Sequence, residues 1–122
     1  MSQLTESWPA MVLLVLFPGT VLAGAITAFA RLTDTNTAID TGMLHGRPGV
    51  VGILLLFLLM LTGDEFDQSI NLALGLFVLT AIAGVALYFI IRRKGILPST
   101  LILIHASLAV VSLTALFFAL PF

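Results

Sequence analysis

"SINLALGLFVLTAIAGVALYFII", residues 69–91, runs for twenty-three positions without a charged side chain and is closed at 92–94 by "RRK". A hydrocarbon core of about 30 Å takes roughly 20 apolar helical residues to cross, so this stretch reads as a membrane span. Working outward, three similar stretches fill most of the remaining chain. The spans are expected from Ala10 to Ala30, from about Met43 to Thr62, from Ser69 to Ile91 and from Pro98 to Ala119, separated by "RLTDTNTAIDTG", "GDEFDQ" and "RRKGILPS". Hydrophobic residues make up 60% of the 122 and charged residues 9%, against about 45–50% and 25% in soluble domains. The chain is therefore expected to be a single all-α membrane domain over residues 1–122, a four-helix transmembrane bundle of up-down topology. It has no room for a soluble domain and no surface for nucleic acid.

The second span carries Pro48 near its start. Proline suits a first helical turn and disrupts later ones, so the helix is extended back towards Gly42, with a kink or loosened turn near Leu44. The opening "MSQLTESWPA" lacks the basic region of a signal peptide, and the first span is expected to be retained. With no cysteine present, disulfides, thiolate ligands and covalent haem attachment are excluded.

Charge orients the spans. Arg31, Arg47, Arg92, Arg93 and Lys94 all fall where spans one and three end and spans two and four begin, while Glu6, Asp64, Glu65 and Asp67 mark the other side. The positive-inside rule makes the basic side cytoplasmic and puts both termini opposite it, as expected of an inner-membrane protein in a bacterium. Trp8 and Tyr88 read as interfacial anchors, and the acidic loop as a solvated one.

Shifted by sixty residues without a gap, "LHGRPGVVGILLLF" (44–57) lies over "IHASLAVVSLTALF" (104–117). His45 meets His105, Gly46 meets Ala106, and Gly49 meets Ala109. The first span lies over the third at the same offset, Phe17 on Phe77, Thr20 on Thr80 and Gly24 on Gly84. Apolar stretches match by chance, but the coincidence of the only two histidines is harder to obtain that way. The expected architecture is a duplicated helical hairpin, halves about 10–62 and 69–122, with a pseudo-twofold axis along the membrane normal.

His45 lies 17 residues from Thr62 and His105 15 residues from Leu120, so at about 1.5 Å per residue the two sit at nearly equal depth. In an up-down bundle their helices are diagonal, and neighbouring axes about 8–10 Å apart put the diagonal at roughly 11–14 Å. Two imidazoles reaching across that gap are poorly placed to bond one another and well placed to hold a metal at the centre of a flat ligand. A b-type haem is such a ligand, with iron taking two axial imidazoles.

Small residues gather at the same level. The first span changes from "MVLLVLF" (11–17) to "AGAITAFA" (23–30), and the third from "INLALGLFVL" (70–79) to "TAIAGVA" (80–86). Candidate cofactor-binding residues are Gly24, Gly46, Gly49, Gly84, Ala106 and Ala109, with Arg47 the nearest cation for a haem propionate and Arg92 and Arg93 further candidates. A simpler reading stands beside each. Small residues also mark close helix contact, and a membrane histidine also serves to bond a carbonyl or a serine across an interface. The equal-depth pair favours function, since ionisable groups inside membranes are usually functional.

His45, His105, the "HGRPG" phrase and the four-span count resemble the small di-histidine b-type cytochromes of bacterial membranes. That resemblance implies haem b between the two histidines and electron exchange with quinones. Many members of that class carry four histidines and two haems, whereas this chain has histidines for one, near one side. The implied role is then one-sided electron transfer near the cytoplasmic face, with quinone as partner or within a respiratory complex. It is at most an electron-transfer component, since the chain shows no nucleophile with its base and no intramembrane carboxylate pair. Two other classes remain open: a cofactor-free accessory subunit of a larger membrane complex, and a small dimeric transporter using the paired histidines, against which the lack of buried acids counts.

Overall fold

The computed structural model describes residues 8–33, 40–62, 68–96 and 98–120. All regular structure there is helical: α1 is Trp8–Leu32, α2 Asp40–Thr62, α3 Gln68–Lys94 and α4 Ser99–Ala119. Each is long and apolar enough to cross a membrane. Helices are the natural outcome in such a sequence, because without water every backbone N–H and C=O needs a partner within its own segment. Glu6, Asp64, Glu65 and Asp67 lie outside the described residues.

The ends fall within three residues of the sequence expectation, with two local differences. Helix α2 begins at Asp40 and stays helical through Pro48, so the loosening expected near Leu44 does not interrupt it. Helix α1 holds an interior proline as well, Pro18. Each proline lacks an N–H and leaves a carbonyl four residues earlier, on Leu14 or Leu44, without its helical donor. Helix α3 ends at Gly95, whose φ of 64° suits a residue without Cβ and whose N–H bonds the Ile91 carbonyl at 3.1 Å. Helix α4 starts after Pro98, whose carbonyl accepts from the Ile102 N–H at 3.0 Å.

Packing is closest between α3 and α4 and between α1 and α2, and thinner between α2 and α3 and between α1 and α4. The backbones of α1 and α3, and of α2 and α4, do not approach one another. Across those diagonals it is side chains that meet. Phe17 of α1 stacks on Phe77 of α3, centroids 4.0 Å apart and planes 15° from parallel. Around this stack lies the apolar core, with Leu13, Leu56, Ile70, Ala73 and Leu116 almost wholly buried. Gly52 of α2 makes room for it, since a Cβ there would come within 2.8 Å of the Phe17 ring.

Hydroxyl groups within the helices are satisfied locally. Thr20 donates to the Leu16 carbonyl at 2.7 Å, Thr80 to Leu76 at 2.8 Å and Ser112 to Leu108 at 2.6 Å. Ser112 and Thr80 also lie 3.0 Å apart, oxygen to oxygen, so that one of the two hydroxyls can donate to the other instead of to its own helix and tie α4 to α3 within the core. Most remaining side chains of the four helices point outward, large aliphatics such as Val15, Leu54 and Ile82 included.

Candidate functional site

His45 stands on the second turn of α2 and His105 on the second turn of α4, both half-buried. Each reaches sideways to the helix paired with its own. The Nδ1 of His45 lies 2.7 Å from the Thr20 carbonyl oxygen, and the Nδ1 of His105 lies 2.9 Å from that of Thr80. A carbonyl oxygen can only accept, so Nδ1 carries the hydrogen in both rings. In the neutral imidazole the lone pair is then on Nε2.

Glycine makes this approach possible. A Cβ on Gly24 would fall 2.5 Å from Cε1 of His45, and one on Gly84 would fall 2.9 Å from Cε1 of His105. Any larger residue at either position would collide with the imidazole. Two glycines and two threonine carbonyls on α1 and α3 thus form a matched pair of cradles, one per histidine.

The cradles bring the rings together. Their centroids are 6.0 Å apart, with planes at 85°. Rings this close can both reach one metal ion at the usual nitrogen–metal distance of about 2.0–2.1 Å. Among the described residues no group of three or more His, Cys, Asp or Glu side chains converges. The pair alone is therefore too small a ligand set for a free zinc ion, which takes four. It suits a metal that brings its remaining ligands with it, as haem iron does.

Room also bears on the fit. From the histidine level towards the end bearing Arg92 and Arg93, Leu87 and Ile102, each 8% exposed, are the only described residues that are buried. The tightly filled part of the bundle lies on the other side, around the Phe17–Phe77 stack. The donor set is that of a bis-imidazole haem, while the space beside Gly24 and Gly84 is taken by the imidazoles themselves.

The other candidates are distributed unevenly. Gly24 and Gly84 do meet the histidines, and their missing side chains are occupied by the imidazoles themselves. Gly49 lies against Thr20, where a Cβ would be 3.3 Å from Cγ2, and Ala109, its counterpart, is half-buried. Gly46 has open space where a Cβ would be, and Gly46, Arg47 and Ala106 are exposed. Arg92 donates to the Tyr88 hydroxyl at 2.8 Å, and the Arg93 guanidinium sits 5.4 Å from the Phe89 ring centre.

Three participants have no direct signal in the sequence. The threonine carbonyls belong to the backbone, so residue type does not announce them. The Thr80–Ser112 contact and the aromatic stack both join residues far apart in the chain. An alignment at sixty places Phe17 over Phe77 and Thr20 over Thr80, and so marks the right positions without saying what they touch.

No family model, characterised protein or solved structure matches the chain.

Proposed function

We propose that this chain is a membrane-embedded b-type haem protein in which Nε2 of His45 and Nε2 of His105 would hold the iron. The observation that carries the reading is the paired Nδ1–H···O=C bonding, which leaves both Nε2 lone pairs available on rings 6.0 Å apart. Metal-bound histidines almost always give their second ring N–H to a carbonyl or carboxylate, which fixes the tautomer and raises ligand basicity. When bound, the haem supplies one-electron redox chemistry. The work of the chain is to hold two imidazoles in one tautomer, at one separation, within an apolar surround that lowers the local dielectric. The basic end would be the cytoplasmic one, with both termini opposite, and a quinone or a respiratory-complex subunit would exchange the electron there.

The same reading includes an up-down bundle made from a duplicated hairpin. Its support is the recurrence of contacts at sixty residues. His45 with Thr20 and Gly24 is repeated as His105 with Thr80 and Gly84, and the buried positions 13, 17, 20, 52 and 56 recur at 73, 77, 80, 112 and 116.

The test is the visible spectrum of the detergent-purified protein, oxidised and then dithionite-reduced, with haem counted as the pyridine haemochrome. Sharp reduced α and β bands at one haem per chain, lost in His45→Leu and in His105→Leu, are expected. A colourless protein from haem-replete cells overturns the proposal. It would leave the second reading, a cofactor-free subunit of a larger complex, which the large apolar surface left outside the bundle supports.

A further inference from the structure

We infer that the seam between α2 and α3 binds one anionic phospholipid, with an acyl chain in an apolar groove and its phosphate at Arg47 and Arg92. The groove has a volume of about 370 Å³ and is lined by Val50, Ile53 and Leu54 of α2 facing Ala81, Ile82 and Val85 of α3. Ala81 opens it, being the smallest side chain among neighbours that are all branched. A groove with an entirely apolar lining, on a helix surface that faces lipid, takes a hydrocarbon chain rather than a polar solute.

What sets this groove apart is where it leads. On α3 positions 82, 85, 89 and 92 recur at the three-to-four spacing of one helix face, so the lining stripe continues through Phe89 to Arg92. On α2 the stripe of Leu54 and Val50 continues to Arg47. Gly42 of α2 lies against Tyr88 of α3, where a Cβ would be 3.8 Å from Cδ2. The start of α2 and the end of α3 are thus at the same end of the molecule, and both stripes reach it with an arginine. Both guanidinia are exposed. Tyr88 accepts one N–H of Arg92 at 2.8 Å, which fixes the side chain and leaves its other donors for an anion. From Ile53 to Arg47 the helix rises about 9 Å, and from Ala81 to Arg92 about 16 Å. The two Cα atoms thus differ by about 7 Å in height, and because helical side chains lean toward their own N-terminus, Arg47 reaches outward and Arg92 inward toward a shared level.

The opposite seam, between α4 and α1, provides an internal comparison. Sixty residues away, Arg47 is replaced by Ser107, Arg92 by Leu32, Arg93 by Thr33 and Tyr88 by Ala28. Its lining stays apolar except where Thr114 stands for Leu54, and its counterparts of Arg47 and Arg92 are uncharged, which leaves Arg31 of α1 as the cation nearest that end of the seam. Charge complementarity therefore favours an anionic lipid at the seam with two stripe arginines over the seam with neither, even though the histidine cradles are repeated in both halves.

Native mass spectrometry of the delipidated protein in detergent tests this, using phosphatidylglycerol and phosphatidylcholine of identical acyl chains. Phosphatidylglycerol is expected to bind one per chain at least tenfold more tightly. The preference should vanish in Arg47→Gln/Arg92→Gln and survive in Arg31→Gln, which removes a cation of the same end from α1. Ala81→Phe should abolish tight binding with the arginines intact, and a thermal melt equal to the parent's confirms that this variant is folded. Leu54→Phe, at the facing wall, replaces it if the melt falls. Equal affinity for both lipids overturns the inference. So does equal loss in Arg31→Gln, which would mean bulk charge. Competition by inorganic phosphate at similar concentration would mean a headgroup site without a groove and overturns it too.

Discussion

The imidazoles of His45 and His105 lie with ring planes 85° apart and centroids 6.0 Å apart, although the backbones of their helices do not approach one another. The meeting is imposed from outside the pair, by carbonyls on α1 and α3 that draw each ring to a fixed place. Loss of one partner therefore leaves the other in position.

Replacing one histidine by glycine should consequently leave a half-site that still functions as a ligand. For His105→Gly the expected product is a five-coordinate, high-spin haem with broadened reduced bands. Millimolar imidazole should restore the sharp low-spin spectrum, because the Gly84 cradle and the Thr80 carbonyl remain. No restoration by imidazole at any concentration would show that the cradle does not define the site.

Gly→Ala substitutions in α1 and α2 should differ in sign. At Gly24 the new Cβ would fall 2.5 Å from His45, so Gly24→Ala is expected to cost about 1–3 kcal/mol through overpacking and to displace the ring. Gly84→Ala, at 2.9 Å, should cost less. At Gly46 the Cβ enters open space, and alanine should stabilise the helix by about 0.5–1 kcal/mol. Melting of the three variants in one detergent checks the order; a destabilised Gly46→Ala would mean that Gly46 is covered by something outside this chain.

The hydroxyl tie between α3 and α4 should be modest. Ser112 lies 3.0 Å from Thr80, and each hydroxyl has one hydrogen to share between that contact and its own helix carbonyl. Ser112→Ala is expected to cost about 0.6 kcal/mol, the usual size of such bonds in membrane bundles. A double-mutant cycle with Thr80→Val isolates the pair, and coupling well above about 2 kcal/mol would contradict this.

The aromatic stack should couple the two hairpins. Phe17→Leu and Phe77→Leu are each expected to destabilise, and their cycle should give about 0.5–1.5 kcal/mol beyond lost area. Additive losses would place the two rings out of contact.

Much of this was legible in the sequence, and for definite reasons. A run such as 69–91 cannot avoid a membrane, so span number and limits follow from hydropathy alone. The two histidines stand out because polar groups are rare there, and the offset of sixty pairs them correctly. The sequence was less informative about what the small residues do. As small residues Gly24 and Gly84 suggest space for a cofactor, and the structure fills that space with imidazole. Arg47 was read beside the same site, and it lies exposed on another face. Composition reports how large a side chain is, but not which neighbour uses the gap, and Pro18 sits inside an apolar run that hydropathy alone describes as uniform.

Because the partner of each imidazole is a peptide carbonyl, substituting Thr20 or Thr80 cannot delete it. What must be preserved is the histidine and the bare glycine it rests on, with twenty residues between Gly24 and His45 and again between Gly84 and His105. Chains built this way could diverge at nearly every other apolar position and keep the same geometry. Their kinship would then be recorded in a spacing, Gly-x20-His written twice, more durably than in overall identity.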